Sequence, residues 1–226
     1  MQIELKNKLC CYFDIAGFSD KVKNKEEEAL NLLSNIGEIL EKLEKANLNT
    51  IKFETTNYSD SVVVTCNCEE DENHIPDSNK VLLFLTGISL LHWMISTKGE
   101  ILTTKGFITY GRCVNKKEMV FGPAIVKCVE AEKLIKLPII EIDKNVYKSY
   151  RRIDNFKDKK LLFKLNYLGS PTILNNFYLI KNSKDAFNVY NNLLKKIKNS
   201  VAFFLKVGLK KTYNIIGLGG TDYEKS

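Results

Sequence analysis

Cys11-Tyr12-Phe13-Asp14-Ile15-Ala16-Gly17-Phe18-Ser19 decides the reading of this chain. An apolar run ends in a carboxylate and passes into a Gly-Phe-Ser turn, the pattern of a buried strand with an acid at its end. Tyr58-Ser59-Asp60-Ser61-Val62-Val63-Val64 sets a second carboxylate beside a second apolar run. Burying a lone carboxylate is unfavourable, so such groups are usually paired or bound to metal. Two of them at strand ends, one followed by a flexible turn, point to a site for a divalent cation and a phosphorylated ligand. Mg²⁺ favours one or two carboxylates plus phosphate oxygens over a cage made of protein alone. The plainer alternative is a pair of turn-forming aspartates.

Outward from these segments the pattern alternates. Leu9 to Ile15 reads as the first strand. Glu26 to Leu48 carries Leu30, Leu33, Ile36, Leu40 and Leu43 at spacings of three and four, which predicts an amphipathic helix facing a sheet. Thr50 to Tyr58 and Asp60 to Cys66 are rich in Thr, Val and aromatics and read as two strands, with a hairpin at Ser59-Asp60. A polar loop from Cys68 to Asn79 leads to an apolar helix, Lys80 to Ser96. Lys105 to Val114 is a further strand. Gly122 followed by Pro123 marks the start of a helix that runs to Leu134. Pro138 to Ile142, Leu161 to Asn166 and Ile173 to Ile180 read as short strands. From Asp185, a stripe of Phe187, Tyr190, Leu194, Ile197, Val201 and Phe204 predicts a long helix used as core or as a dimer seam. The order β-α-β-β-α-β predicts an α+β fold of ferredoxin-like type, an antiparallel-rich sheet with helices packed on it.

Composition bounds what such a fold does. At 226 residues, 44% hydrophobic and 27% charged, the chain fits one domain, 1–226, with a sizeable core. The first apolar segment contains Asp14 and has no small-residue cleavage pattern, so no signal peptide is expected. The longest apolar stretch, Val81 to Ile95, falls short of the roughly 20 residues that span a bilayer, so no membrane role is expected. The cysteines at 10, 11, 66, 68, 113 and 128 form no Cys-x-x-Cys pair and lie mostly in strand-like runs. They read as reduced core thiols of a cytoplasmic protein rather than zinc ligands. The net charge of +7 is unevenly spread. Residues 1–143 hold 17 Lys and Arg against 22 Asp and Glu, whereas 144–226 hold 17 against 5. That basic region suits an anionic ligand or an acidic surface of another protomer, or is a solvated lysine-rich surface. No interleaving of stacking aromatics accompanies it, so no nucleic-acid partner is expected.

Four segments in order carry a resemblance: Phe13-Asp14-Ile15-x-Gly17-Phe18-Ser19, Ser59-Asp60-Ser61, Lys105-Gly106-x-Ile108-Thr109-x-Gly111, and Phe121-Gly122-Pro123-Ala124. Together they resemble the class III nucleotidyl cyclase catalytic domain over about residues 8–142, with 143–226 as a basic strand-helix extension. The resemblance implies two Mg²⁺ or Mn²⁺ ions held by Asp14 and Asp60, with the backbone carbonyl of Ile15 as a further ligand. It implies phosphate contacts from the backbone of Gly17, Phe18 and Ser19, and a head-to-tail homodimer with active sites at its interface. Such chemistry is sensible for cyclisation, since metal ions activate the 3′-hydroxyl and neutralise departing pyrophosphate.

Departures from the adenylate and guanylate cyclases refine this. The purine-reading lysine falls at Thr56 and its partner at Met119, while the catalytic Asn and Arg fall near Val126 and Glu130. The Ser-Asp-Ser and Gly-Pro-Ala forms look instead like the bacterial pyrimidine cyclases of anti-phage signalling, which make cyclic UMP or cyclic CMP. The implied substrate is a pyrimidine nucleoside triphosphate, and the implied partner a separate effector that senses the cyclic product. Lys105, where this group often has Arg, is the candidate phosphate or transition-state cation, which a shared site would take from the other protomer; a salt-bridged structural lysine is the alternative. Thr56 and Tyr58 are the candidate base contacts. An adenylate cyclase with an atypical base pocket and a non-catalytic nucleotide-binding domain of the same fold stay open as alternatives.

Overall fold

The computed structural model describes residues 4–15, 17–45, 51–97, 104–116, 119–135, 139–153, 162–164 and 172–174. The elements run β1 (Lys6–Ile15), α1 (Phe18–Asn24), α2 (Glu26–Lys45), β2 (Phe53–Tyr58), β3 (Ser61–Asn67), α3 (Ser78–Thr97), β4 (Thr104–Lys116), β5 (Met119–Phe121), α4 (Pro123–Leu134), β6 (Ile140–Ile142), α5 (Lys144–Tyr150), β7 (Leu162–Lys164) and β8 (Thr172–Leu174). The strands form one sheet in the order β2-β3-β1-β4-β6-β8-β7, with β5 paired to β4 off that path. The pairings are antiparallel except that of β4 with β6. The first four strands therefore realise the expected ferredoxin-like order, and the α+β, antiparallel-rich expectation holds. β7 and β8 extend this same sheet, so the described part of the basic extension is built into it. The helix expected from Asp185 lies outside the described residues.

Alternation along β1 separates the two faces of the sheet. Leu9, Cys11, Phe13 and Ile15 enter the main core under α2, α3 and α5, while Cys10 and Tyr12 belong to a second cluster with Cys113, Ala124 and Cys128 under α4. Ser78–Ile95 is long and apolar enough to cross a membrane, yet its Val81, Phe84, Leu85, Ile88, Leu91 and Ile95 are buried as a core stripe. Phe84 stacks on Phe53 of β2, ring centroids 6.0 Å apart. All six cysteines are buried thiols, as the strand-like context predicts. The buried side of α2 is Ala29, Leu32, Ile36, Ile39 and Leu40, rotated from the expected stripe, and Leu30 is 60% exposed.

Two motif glycines are dictated by close approach. At Gly106, opposite Phe13, a Cβ would lie 2.5 Å from both the Phe13 Cβ and the Tyr12 carbonyl oxygen. Gly122 has φ of 132°, and its Cβ would lie 2.6 Å from the Arg112 carbonyl. Gly106→Ala is expected to lower stability by about 1–3 kcal/mol through overpacking between β4 and β1. A urea or thermal melt checks this, at about 2–4 °C in Tm per kcal/mol for a chain of this size.

Candidate active site

The site grows from one end of the sheet. Asp14 is the penultimate residue of β1 and pairs with Ser61 on one side and Lys105 on the other. Directly paired residues project from the same face, so Asp14, Ser61 and Lys105 share the α4 side of the sheet. Tyr12 shares it two positions back. Tyr58, opposite Ser61, and Thr56, opposite Val63, complete the row.

The hairpin tip delivers the second carboxylate. β2 and β3 are joined by Ser59 and Asp60 alone, with Ser59 in the left-handed region at φ 55°. The carbonyl of Asp60 accepts a 3.1 Å hydrogen bond from the Ile15 backbone N–H, pinning the tip to the end of β1. The side chain of Ile15 is buried in the core, so only its backbone carbonyl is offered to a ligand. The Asp14 carboxylate accepts a 3.2 Å hydrogen bond on Oδ1 from Ser61 Oγ. Partial burial raises the pKa of Asp14, and the nearby Asp60 charge raises it further, against the opposing Ser61 hydrogen bond and Lys105 charge.

Lys105 is held by α4. Ala124, Cys128 and Glu132, four residues apart, are the buried side of that helix. Glu132 Oε1 lies 2.5 Å from Lys105 Nζ, and this partner raises the lysine pKa, keeping it cationic. Lys105 is thus a salt-bridged lysine that also faces Asp14 within the same chain. This corrects the expectation that it reaches Asp14's site across a dimer: the two residues are cross-strand neighbours in one protomer.

The base-side candidates separate. Tyr58 is 50% exposed at the open end of the row. Thr56 is buried, and its hydroxyl donates to Asn115 Oδ1 at 2.6 Å, while Asn115 Nδ2 donates to the Glu54 carbonyl at 3.0 Å. Beside them the Lys8 ammonium, buried, pairs with Glu54. Gly17-Phe18-Ser19 is the start of α1 rather than a free turn: Gly17 caps it, Phe18 is buried in the core and offers phosphate only its backbone N–H, and Ser19 is exposed. Met119 lies on β5 and is half-buried, and Val126 and Glu130 stand exposed on α4.

A divalent cation fits the carboxylate pair. Two acids sit together, one half-buried, while the neighbouring cation is already matched by Glu132. Among the described residues no third His, Cys, Asp or Glu joins them. That donor set suits Mg²⁺ or Mn²⁺ completed by water and phosphate oxygens, not a closed structural site. Sequence reasoning missed three contributors, Tyr12, Ser61 and Glu132. Tyr12 is marked by its place two residues before Asp14, and Glu132 by the four-residue spacing from Ala124 and Cys128.

This fold is that of class III nucleotidyl cyclase catalytic domains. No protein-family model matches the chain, and no curated protein matches it in sequence. Among solved structures, a bacterial light-regulated adenylyl cyclase superposes with a TM-score of 0.52 at 14% identity, over 85% of this chain and 99% of that one. The monomeric guanylyl cyclase domain of the RhoGC fusion protein from the aquatic fungus Blastocladiella emersonii gives 0.52 at 11% identity, over 76% and 98%. The catalytic core of a rhodopsin-guanylyl cyclase with converted specificity, in complex with ATPαS, gives 0.50 at 14%, over 76% and 95%.

Proposed function

We propose that this chain is a nucleotidyl cyclase that converts UTP or CTP to the 3′,5′-cyclic monophosphate and pyrophosphate. The observation that carries the reading is the convergence of Asp14 and Asp60 beside Lys105 on one face of a cyclase fold. In the reaction the 3′-oxygen forms a bond to the α-phosphorus as the bond from phosphorus to the pyrophosphate oxygen breaks, and the 3′ proton passes to solvent. Asp14 and Asp60 would hold Mg²⁺ or Mn²⁺, with the Ile15 carbonyl as a further ligand. Bound there, the cation would lower the pKa of the attacking hydroxyl and neutralise the leaving group. Lys105, kept charged by Glu132, presents a point charge to phosphate oxygens rather than the bidentate fork of an arginine. The first backbone N–H groups of α1 would donate hydrogen bonds to phosphate oxygens.

The pyrimidine assignment is supported by what stands at the purine-reading positions. Thr56 is short and bonded to Asn115, and Met119 offers no strong hydrogen bond, so a purine edge finds neither the lysine nor the acid it needs. A homodimer is supported by exposed apolar residues on the α4 side, Phe121 and Val126 among them, and a cytoplasmic location is part of the same proposal. The cyclic product would act through a separate effector protein, the arrangement of anti-phage signalling.

The test is to mix the purified chain with each of the four ribonucleoside triphosphates and Mg²⁺ or Mn²⁺. Release of pyrophosphate with cyclic UMP or cyclic CMP is the expected result. A second reading, a non-catalytic nucleotide-binding domain, is favoured by Val126 and Glu130 at the positions of the catalytic Asn and Arg. It predicts nucleotide binding with no pyrophosphate.

A further inference from the structure

We propose that Tyr12 and Ser61 are positioning residues for Asp14, forming a directed relay that fixes its carboxylate for cation binding. The inference rests on the reading of Asp14 as a cation ligand. Ser61 Oγ lies 3.2 Å from Asp14 Oδ1 and 2.9 Å from the Tyr12 hydroxyl. A serine hydroxyl has one proton to give, and an ionised carboxylate only accepts. Ser61 therefore donates to Asp14, and Tyr12 must donate to Ser61. The direction of the whole chain follows from the acceptor at its end.

Each member is held by the fold. Ser61 is the first residue of β3 and the register partner of Asp14, while Tyr12 is fixed between Val63 and Phe107 in the sheet. The Tyr12 ring packs against the buried cluster of Cys10, Val63, Cys113, Ala124 and Cys128. Its hydroxyl is thereby anchored beside that buried cluster, and the anchor passes through Ser61 to Asp14. With Oδ1 engaged from the sheet side, the carboxylate cannot rotate freely, and Oδ2 is left for a cation. Outer groups that orient a metal-binding carboxylate in this way typically govern affinity by 10–100-fold.

The test measures Mn²⁺ binding to the full chain without nucleotide, by electron paramagnetic resonance of the free ion. Ser61→Ala is expected to weaken binding by about 10-fold or more. Tyr12→Phe is expected to weaken it by about threefold, the loss of one hydrogen bond. Because Tyr12 acts through Ser61, the double variant should bind no more weakly than Ser61→Ala alone. Ser61→Thr keeps the hydroxyl and should restore affinity, which a purely structural role for the strand would not predict. Unchanged affinity in a folded Ser61→Ala chain, or additive losses in the double variant, overturns the relay. If Asp14→Ala binds Mn²⁺ as the natural chain does, the cation site fails and takes the relay with it. If the affinities follow the expected order but no cyclic nucleotide forms, the relay stands and the proposed activity falls.

Discussion

Asp14→Asn and Asp60→Asn are each expected to reduce cyclic nucleotide formation by at least about 10³-fold, about 4 kcal/mol of transition-state stabilisation. Each removes a charge that a divalent cation needs while keeping size and hydrogen-bond acceptor. Stability should move the other way for Asp14. Burial and the Asp60 charge raise its pKa in the folded chain. A carboxyl whose folded pKa is raised stabilises the fold fully below its unfolded value of about 3.9, and that contribution is lost as pH rises through the folded value. At pH 7 without a cation, ionised Asp14 is therefore a local liability, and Asp14→Asn should melt at or above the natural chain. The difference should shrink below about pH 4, where both forms are neutral. Added Mn²⁺ should raise the melting temperature of the natural chain and leave that of the variant unchanged. Near-normal turnover in either variant, with unchanged metal dependence, would remove the carboxylate pair from the mechanism.

What could be read from the sequence followed from local physical rules. Strand-period runs and the two-residue junction at Ser59-Asp60 gave the β2–β3 hairpin, and carboxylates at strand ends gave Asp14 and Asp60. Glycine with proline at 122–123 placed the start of α4 at Pro123. Features fixed by tertiary partners were not legible. The face of α2 depends on how α2 packs against α3 and β2, which buries Leu32 in place of the expected Leu30. The three-residue strand β5 exists by pairing with β4. Short helices were also missed: α5 begins where the Asp143 side chain accepts the Asn145 N–H at 2.8 Å, a cap that competes with simple turn readings of the same residues. At the site, a lysine in a strand does not announce its counter-ion, and Glu132 lies 27 positions further along the chain. Thr56 shows the same limit: its residue type permits base reading, but its partner Asn115 is 59 positions away.

UTP should be the best substrate, CTP the second, and ATP and GTP poor. A pyrimidine presents one small ring, so it needs a tighter pocket and different edge contacts from a purine. The row on the α4 face ends at Tyr58, which is exposed and lies opposite Ser61, beside the carboxylate pair. An aromatic ring there can stack on the base, a contact worth about 1–3 kcal/mol when removed by alanine. Tyr58→Ala should therefore raise the KM for UTP by about 10-fold and narrow the preference over ATP, with little change in melting temperature because the side chain is half in solvent. Thr56→Ala should behave differently. It strips the donor from the buried Asn115 Oδ1, and an orphaned buried acceptor costs about 1–3 kcal/mol. Its first effect should be a lower melting temperature, and a loss of base preference should follow only if Asn115 moves. Steady-state kinetics with all four triphosphates, alongside thermal melts of both variants, separate these roles. Efficient conversion of ATP by the natural chain, with little cyclic UMP or cyclic CMP formed, would overturn the pyrimidine assignment in favour of an adenylate cyclase with an unusual base pocket.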